Sequence, residues 1–231
     1  MKAAARPRVK ICCIASLDEA WLAIHAGVSA LGLVSEMPSG PGVIPDDAIA
    51  RIAAAVPPGV ATFLLTSRRT ARGVADQHRA TRTSVIQIVD SLEEGRLCDI
   101  RAELPGIRLV QVVHVIGPGS VDEALAASED ADALLLDSGN PTLVVKQLGG
   151  TGRRHDWHLS REIRERSAVP VWLAGGLRPN NVAEAIAEVG PFGLDLCTGV
   201  RTDGKLDPAR LTDFMQAVAE AASGASLSQG P

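Results

Sequence analysis

A regular alternation of short apolar stretches with helical patterns runs along nearly the whole chain, and this repeat constrains the fold more than any other feature. Each apolar stretch is rich in branched aliphatic residues. Continuous apolar runs are typical of strands that are buried on both faces, as in parallel sheets. Eight runs predict strands, at Val9–Ile14, Ala30–Val34, Thr62–Leu65, Val85–Ile88, Leu109–Val113, Ala133–Leu136, Val171–Ala174 and Gly193–Leu196.

The segment after the first strand shows the helical pattern most clearly. Ser16 and Glu19 have the spacing of a capping box, and apolar residues then recur at helical intervals as far as Gly27. Eight helices are expected between the strands, in units of roughly 25–30 residues, which is the repeat length of βαβ crossovers, and seven segments show a helical pattern. Other helices are predicted at Asp46–Val56, Thr70–Arg79 and Leu92–Leu104, after Ser120, after Asn180 or Asn181, and from Asp207.

Eight such units in 231 residues predict an α/β fold of the compact (β/α)8 TIM barrel type. A doubly wound open sheet is the alternative, but no Gly-x-Gly-x-x-Gly motif follows the first strand. No linker-like segment divides the chain. We therefore expect a single barrel domain over residues 9–222, with flexible ends at residues 1–8 and 223–231.

Composition argues against nucleic acid as a partner. Only 3% of the residues are aromatic, Tyr is absent, and the formal net charge is −4. Binding of single strands by base stacking needs aromatic rings, and binding of the phosphate backbone needs an excess of basic residues. The missing Tyr also removes one candidate for a catalytic acid.

The cysteines and the N-terminus indicate a cytoplasmic protein. Cys12, Cys13, Cys98 and Cys197 show no Cys-x-x-Cys or Cys/His spacing, so we expect free thiols and no zinc. Met1 to Lys10 lacks the apolar core of a signal peptide, and no apolar run is long enough to span a membrane. We expect no metal and no membrane partner.

Glycine clusters follow three consecutive predicted strands near the C-terminus and predict a phosphate site. Glycine lets backbone N–H groups approach an oxyanion, and the last two βα loops of a barrel are the usual place for this. Each cluster taken alone is also consistent with a tight turn. The candidates are Gly149, Gly150, Thr151 and Gly152, then Gly175 and Gly176, then Thr198 and Gly199.

Two reactive side chains at strand ends are candidates for acid–base chemistry. Cys12 lies at the end of the first strand and Asp137 at the end of the sixth, so both would face the mouth of a barrel. A thiolate acts as a general base and a protonated carboxyl as a general acid. The alternatives are a buried apolar role for Cys12 and a turn cap for Asp137. Successive strand residues face opposite sides, so we expect Cys13 to pack against a helix.

Several motifs together resemble the phosphoribosylanthranilate isomerase family. The similarity extends from Lys10 to Phe214 and is most specific in the second half of the chain. The matching motifs are Lys10-Ile11-Cys12, Gln87, Leu135-Leu136-Asp137-Ser138, Gly149-Gly150-Thr151-Gly152, Asp156-Trp157, Leu173-Ala174-Gly175-Gly176-Leu177, Pro179-x-Asn181-Val182 and Asp195-x-x-x-Gly199-Val200.

The resemblance implies an Amadori rearrangement of an N-aryl phosphoribosylamine in tryptophan biosynthesis, without a cofactor. Asp137 would protonate the sugar ring oxygen, and Cys12 would remove the proton from the sugar C2. Lys10, Gln87 and Asp195 would bind other parts of the phosphosugar substrate. The resemblance leaves open whether the protein is a monomer or a homodimer.

The departures from the family pattern concentrate where the aromatic half of the substrate would bind. The family's Arg that holds the anthranilate carboxylate is replaced by Gly42, and Arg153, Arg154 and Arg201 are candidates to compensate. Two alternatives therefore remain, namely the same isomerisation with a different N-substituent and a non-catalytic sugar-phosphate-binding barrel. The other departures are Val89 for a His, His114 for an Arg, Cys197-Thr198 for Ser-Ser, Arg201 for an acidic residue and Cys13 for a Gly.

Overall fold

Eight parallel strands close into a barrel in the order in which they occur along the chain, as predicted. The computed structural model describes residues 6–139, 148 and 154–227. Strand β1 pairs with β2 on one side and with β8 on the other, which closes the sheet. The strands are β1 (Arg8–Ile11), β2 (Ala30–Val34), β3 (Ala61–Thr66), β4 (Val85–Ile88), β5 (Arg108–His114), β6 (Ala133–Asp137), β7 (Val171–Leu173) and β8 (Gly193–Leu196).

Helices follow the strands and form the outer layer of the described fold. Ser16 caps α1 by accepting the N–H of Glu19, so the predicted N-cap is confirmed. The Glu19 carboxylate accepts the N–H of Ala15 and not that of Ser16, so the reciprocal bond of a capping box is shifted by one residue. The helices are α1 (Leu17–His25), α2 (Asp46–Ala55), α3 (Ala71–Thr81), α4 (Leu97–Glu103), α5 (Gly119–Ser128), α6 (Trp157–Arg166), α7 (Val182–Val189) and α8 (Pro208–Leu227).

Two predicted boundaries differ from the structure by more than two residues. Helix α4 begins at Leu97 and not at Leu92, because Glu93 and Glu94 donate their N–H groups to the Arg69 carbonyl and Gly95 has a φ of +79°. Strand β1 ends at Ile11, before the two cysteines. Helix α6 occupies a segment that the sequence analysis did not single out.

The apolar residues form two separate cores. The larger one lies between the sheet and the helices, and the smaller one fills the barrel interior. Trp172 and Phe63 pack edge to face inside the barrel, with ring centroids 5.8 Å apart. A side chain on Gly193 would overlap the Trp172 ring, so this glycine makes room for the largest interior residue. Above Trp172 and Phe63, the described residues at the carboxyl end of the barrel line a cavity.

A short hairpin follows β8 and leads into the last helix. A 3-10 turn at Thr198–Val200 is followed by β9 (Arg201–Thr202) and β10 (Lys205–Leu206). Asp207 then caps α8 by accepting the N–H groups of Ala209 and Arg210. Within the part of the chain that the structure describes, no helix has the length and apolar character needed to cross a bilayer.

Candidate active site

The carboxyl ends of the strands border one cavity that brings most of the predicted site residues together. Cys12 and Asp137 both line it, from strands three places apart around the barrel. So do Gln87, Asp195, Gly175, Gly176, Thr198 and Gly199. Lys10 lies one layer below this rim and is fully buried. Gly149, Gly150, Thr151 and Gly152 lie outside the described residues, as does Arg153.

Asp137 ends β6 and is buried at the cavity wall. Burial raises the pKa of its carboxyl, which outweighs the lowering effect of the backbone N–H of Ser138, donated to Asp137 Oδ1 at 2.7 Å. His114 pairs with Asp137 across the β5–β6 ladder and contributes a further, smaller lowering of the pKa. A raised carboxyl pKa favours the protonated form that a general acid requires.

Cys12 lies beside a buried positive charge. Its thiol sulfur and Lys10 Nζ both lie within 3.2 Å of the point where a Cβ on Gly32 would sit. Gly32 on β2 therefore leaves the space in which these two groups meet. Lys10 forms an ion pair with Asp195, with 2.9 Å between Nζ and Oδ2. Burial lowers the pKa of Lys10, but Asp195 and the Cys12 sulfur raise it further, so the ammonium stays charged.

Two buried acceptor atoms face the cavity without a partner from the described residues. They are Oε1 of Gln87 and Oδ1 of Asp195. A buried acceptor without a hydrogen bond costs about 1–3 kcal/mol, so these oxygens are suited to accept hydrogen bonds from hydroxyl groups of a ligand.

Glycines bring the chain close together on the side of the cavity formed by β7 and β8. Gly175 and Gly176 have φ of +85° and +65°, in the left-handed region that favours glycine. A Cβ on Gly199 would overlap the carbonyl oxygen of Leu177, so the turn after β8 lies directly against the loop after β7. Thr198 and Gly199 begin the 3-10 turn there. Four residues of the predicted phosphate site thus lie side by side.

The prediction for Cys13 is wrong. Cys13 has a φ of +63°, so the chain leaves the strand alternation and the side chain turns toward the cavity instead of a helix. It packs against Gly42, whose own φ is +78° and where a Cβ would overlap that of Cys13. The two departures from the family pattern, at positions 13 and 42, are therefore linked, because the Cys13 side chain occupies the space that a side chain at position 42 would need. Sequence reasoning missed this contact because it joins two distant loops.

Arg201 holds the turn that contains the two cysteines. Its Nη2 donates to the carbonyl oxygens of Cys12 at 3.2 Å and Cys13 at 2.6 Å, and its Nη1 lies 2.8 Å from Glu19 Oε1. Burial opposes the charge of Arg201, but the Glu19 carboxylate and the Cys197 sulfur raise its pKa. The guanidinium is therefore committed to the backbone and does not compensate for Gly42.

Arg154 is committed elsewhere as well. It stacks on the ring of Trp157, 3.5 Å from the centroid, and pairs with Glu184 and Glu188. Among the described residues, no Arg or Lys side chain borders the cavity. The described wall around Met37, Val89 and Leu148 is apolar.

We expect Arg201→Ala to lower the free energy of unfolding by about 3 kcal/mol, because it removes charged hydrogen bonds and leaves Glu19 partly buried without its cation. Thermal and urea unfolding measure this. Arg51→Ala is the control, since Arg51 forms an exposed pair with Asp47 one helical turn away and should leave the free energy of unfolding almost unchanged. Equal effects of the two substitutions would contradict a bracing role for Arg201.

The fold, together with a cavity that holds a buried acid, a thiol beside an ammonium and a glycine-lined wall, agrees with the comparisons. The family model described as N-(5'phosphoribosyl)anthranilate (PRA) isomerase matches residues 9–217. The chain belongs to the PRA isomerase family. Its relative from Methanocella arvoryzae, named N-(5'-phosphoribosyl)anthranilate isomerase, is 34% identical over 212 residues, which is 91% of this chain and 97% of the relative.

Solved structures of the PRA isomerase family share the barrel. The enzyme from Thermotoga maritima superposes with a TM-score of 0.76 at 28% identity, covering 93% of this chain and 99% of that one. That enzyme is described as dimeric in another of its structures. A phosphoribosyl anthranilate isomerase in complex with reduced 1-(o-carboxyphenylamino)-1-deoxyribulose 5-phosphate has a TM-score of 0.74 at 26% identity, covering 93% and 99% of the two chains.

Proposed function

We propose that this protein isomerises N-(5'-phosphoribosyl)anthranilate to 1-(o-carboxyphenylamino)-1-deoxyribulose 5-phosphate, with Asp137 as general acid and Cys12 as general base. The observation that carries the proposal is the position of these two groups on one cavity at the carboxyl end of a PRA isomerase family barrel. The reaction is the tryptophan-pathway Amadori rearrangement, and we place it in the cytoplasm.

The first step opens the sugar ring. The protonated carboxyl of Asp137 gives its proton to the ring oxygen as the C1–O bond breaks, which leaves a Schiff base between C1 and the aryl nitrogen. The raised pKa of Asp137 supports this role, because the carboxyl holds a proton at a pH where an exposed Asp is ionised. After the transfer, the nearby N–H of Ser138 stabilises the carboxylate.

The second step moves the proton from C2. The Cys12 thiolate accepts it, which gives an enolamine that tautomerises to the amino-ketone. Lys10 places a positive charge beside this sulfur, and its ion pair with Asp195 fixes the ammonium. We assign the sugar hydroxyls to the unpartnered oxygens of Gln87 and Asp195.

The phosphate end is assigned to the glycine-lined wall. Gly175, Gly176, Thr198 and Gly199 offer backbone N–H groups at the last two strand ends, where barrels commonly hold phosphate. Gly149, Gly150, Thr151 and Gly152 remain part of this proposal from the sequence. The monomer or homodimer alternative also stays a prediction.

The deciding experiment combines complementation with direct turnover. The gene should restore growth of a tryptophan auxotroph that lacks PRA isomerase, and the purified protein should consume the fluorescent anthranilate substrate. Cys12→Ser and Asp137→Asn should each abolish growth while the protein remains folded by circular dichroism. Absence of both growth and turnover for the unaltered protein would refute the proposal.

A different N-substituent is the second candidate, favoured by the apolar described wall without an Arg or Lys side chain. A phosphoribosylamine carrying an unsubstituted phenyl group tests it. A kcat/KM for this compound equal to or above that for the anthranilate compound would favour the second candidate, while a preference for the carboxylate of tenfold or more would exclude it.

We expect Gly199→Ala to raise KM for the phosphorylated substrate at least tenfold, because the new Cβ displaces the loop after β7 and with it the N–H groups that face the phosphate. Steady-state kinetics measure the change. Gly117→Ala is the matched control, since a Cβ there meets no atom within 4 Å. A KM unchanged by Gly199→Ala would contradict this position for the phosphate.

A further inference from the structure

Three of the four cysteines lie together at the mouth of the barrel. Cys12 and Cys13 follow β1, and Cys197 follows β8, the strand that pairs with β1. The thiol of Cys13 interacts with the thiols of both Cys12 and Cys197. All three residues line the cavity described above, so a small solute reaches them from the same opening. The isomerisation uses only Cys12, and Cys13 and Cys197 are left without a task.

The backbone turns Cys13 toward the cavity that Cys197 also lines. In an extended strand Cys13 would point away from the barrel interior, but its φ of +63° turns it back. A non-glycine residue in this conformation is strained, and the bond from Arg201 to its carbonyl holds the turn. The Cys13 thiol also contacts the carbonyl oxygen of Pro41 at 3.5 Å. The pair is therefore held in place by the fold.

The two thiols differ in their ionisation. The hydrogen bond from Cys13 lowers the pKa of Cys197 and outweighs its burial, and the positive charge of Arg201 adds to this effect. Its neighbours Cys12 and Cys197, together with burial, raise the pKa of the Cys13 thiol. One sulfur is thus suited to be the thiolate that reacts first, and the other remains a thiol beside it.

We propose that Cys13 and Cys197 are a peroxide-sensitive pair that closes to a disulfide at the mouth of the active site. The Cys197 thiolate attacks one oxygen of hydrogen peroxide, the O–O bond breaks, and the departing hydroxide takes up a proton to become water. The product is a sulfenic acid at Cys197.

The Cys13 sulfur then attacks the sulfenic sulfur. The S–O bond breaks, the hydroxide leaves with the proton of the Cys13 thiol as a second water, and the S–S bond forms. The two thiols supply the two electrons that reduce the peroxide. A dithiol such as dithiothreitol reverses the bond by thiol–disulfide exchange.

Geometry favours this pair over the other uses of the cluster. A bond between the adjacent residues Cys12 and Cys13 would close a small strained ring, and the Cys12 sulfur lies against Gly32 on β2. Cys13 and Cys197 instead follow the paired strands β1 and β8. Among residues 6–139, 148 and 154–227, no three His, Cys, Asp or Glu side chains converge in a way that could hold a metal ion. The bond would join the loop that carries Cys12 to the turn that carries Thr198 and Gly199. We therefore expect activity to fall at least tenfold on oxidation.

The test treats the reduced protein with a small excess of hydrogen peroxide, blocks free thiols with iodoacetamide, and analyses the intact mass and the non-reduced peptides. Before alkylation the wild type should be lighter by two hydrogen atoms, and dithiothreitol should restore the original mass. After alkylation it should yield one peptide pair joined through Cys13 and Cys197. Cys13→Ser and Cys197→Ser should abolish the link. Cys13→Gly is a second variant at that position, since glycine adopts the required φ freely.

Cys98→Ser is the matched control, because Cys98 lies exposed on α4. The link should persist in this variant and in Cys12→Ser. An unchanged mass in the wild type, a link that survives Cys197→Ser, or oxidation confined to Cys12 as sulfinic acid would each overturn the proposal. The mass readout does not depend on isomerase activity, so failure of the proposed function would leave this result intact.

Discussion

Replacing Asp137 by Asn should lower kcat for PRA isomerisation by about 10³-fold and at the same time stabilise the fold at neutral pH. The loss of activity follows because an amide cannot give the ring oxygen a proton, and a positioned general acid contributes about 10²–10⁴-fold. The gain in stability follows because the carboxyl is buried, and its ionised form is poorly solvated there.

The pH dependence has a definite sign. The pKa of Asp137 is raised in the folded protein, so the folded state holds this proton after the unfolded chain has released it. The stability that the protonated group contributes is complete below the ordinary Asp pKa and is lost as pH rises through the raised one. The difference in melting temperature between Asp137→Asn and wild type should therefore grow as pH rises from about 4 and then level off.

Asp132→Asn provides a control of opposite sign. Burial of Asp132 raises its pKa, but the Leu109 N–H and the Arg101 and Arg108 guanidinium groups outweigh this and lower it. The stability contributed by this carboxylate is present above the ordinary Asp pKa and is lost as pH falls through the lowered one. Asp132→Asn should thus lower the melting temperature at pH 7 and retain activity. A kcat of Asp137→Asn within threefold of wild type would exclude Asp137 as the acid.

Replacing Gly42 by Arg should lower the free energy of unfolding by about 3 kcal/mol, and Cys13→Gly should recover most of that loss. The Cβ at position 42 would overlap that of Cys13 and lie 2.9 Å from the Cys13 Cα. Overpacking of this kind costs about 1–3 kcal/mol, and the φ of +78° adds about 1–2 kcal/mol for a side chain. Removing the Cys13 side chain removes the overlap with its Cβ, which is the closest contact, but leaves the approach to its Cα and the backbone strain.

The double variant also tests the substituent of the substrate. By the family resemblance, an Arg at position 42 would hold the anthranilate carboxylate, and such a charged pair is worth a factor of ten or more in binding. Cys13→Gly with Gly42→Arg should therefore lower KM for the anthranilate substrate at least tenfold relative to Cys13→Gly alone. An unchanged KM would indicate that the carboxylate binds elsewhere.

Gly59→Arg separates strain from steric overlap. Gly59 has a φ of +101°, and a Cβ there meets no atom within 4 Å. The Gly59→Arg substitution should lower the free energy of unfolding, measured in urea, only by the backbone strain of about 1–2 kcal/mol. Strong coupling between positions 13 and 42, with none between 13 and 59, is the expected result of a double-mutant cycle. Additive effects at 13 and 42 would contradict the packing described here.

The sequence predicted the barrel and the position of Cys12 and Asp137 at one end of it, because both depend on local patterns. Apolar strand runs and helix caps are patterns of neighbouring residues that recur along the chain. Cys12 and Asp137 lie at the ends of such runs, so their positions can be read from the same patterns. The contacts of Arg201 and Cys13 were not predictable in the same way. Arg201 reaches Cys13 across 188 positions in the chain, and the turn of Cys13 depends on that contact. No local pattern records a partner at such a distance.

The hydrogen bonds from Arg201 to the carbonyl oxygens of Cys12 and Cys13 also have a consequence for how the protein folds during synthesis. A nascent chain emerges with its N-terminus first, so Cys12 and Cys13 leave the ribosome long before β8 and Arg201 exist. The pairing of β1 with β8 is the contact of largest sequence separation in the sheet, and such contacts form at the highest entropic cost. The thiols of the first strand therefore stay open to solvent during most of synthesis. The catalytic mouth is assembled only when the barrel closes, and an incomplete chain carries exposed thiols but no active site.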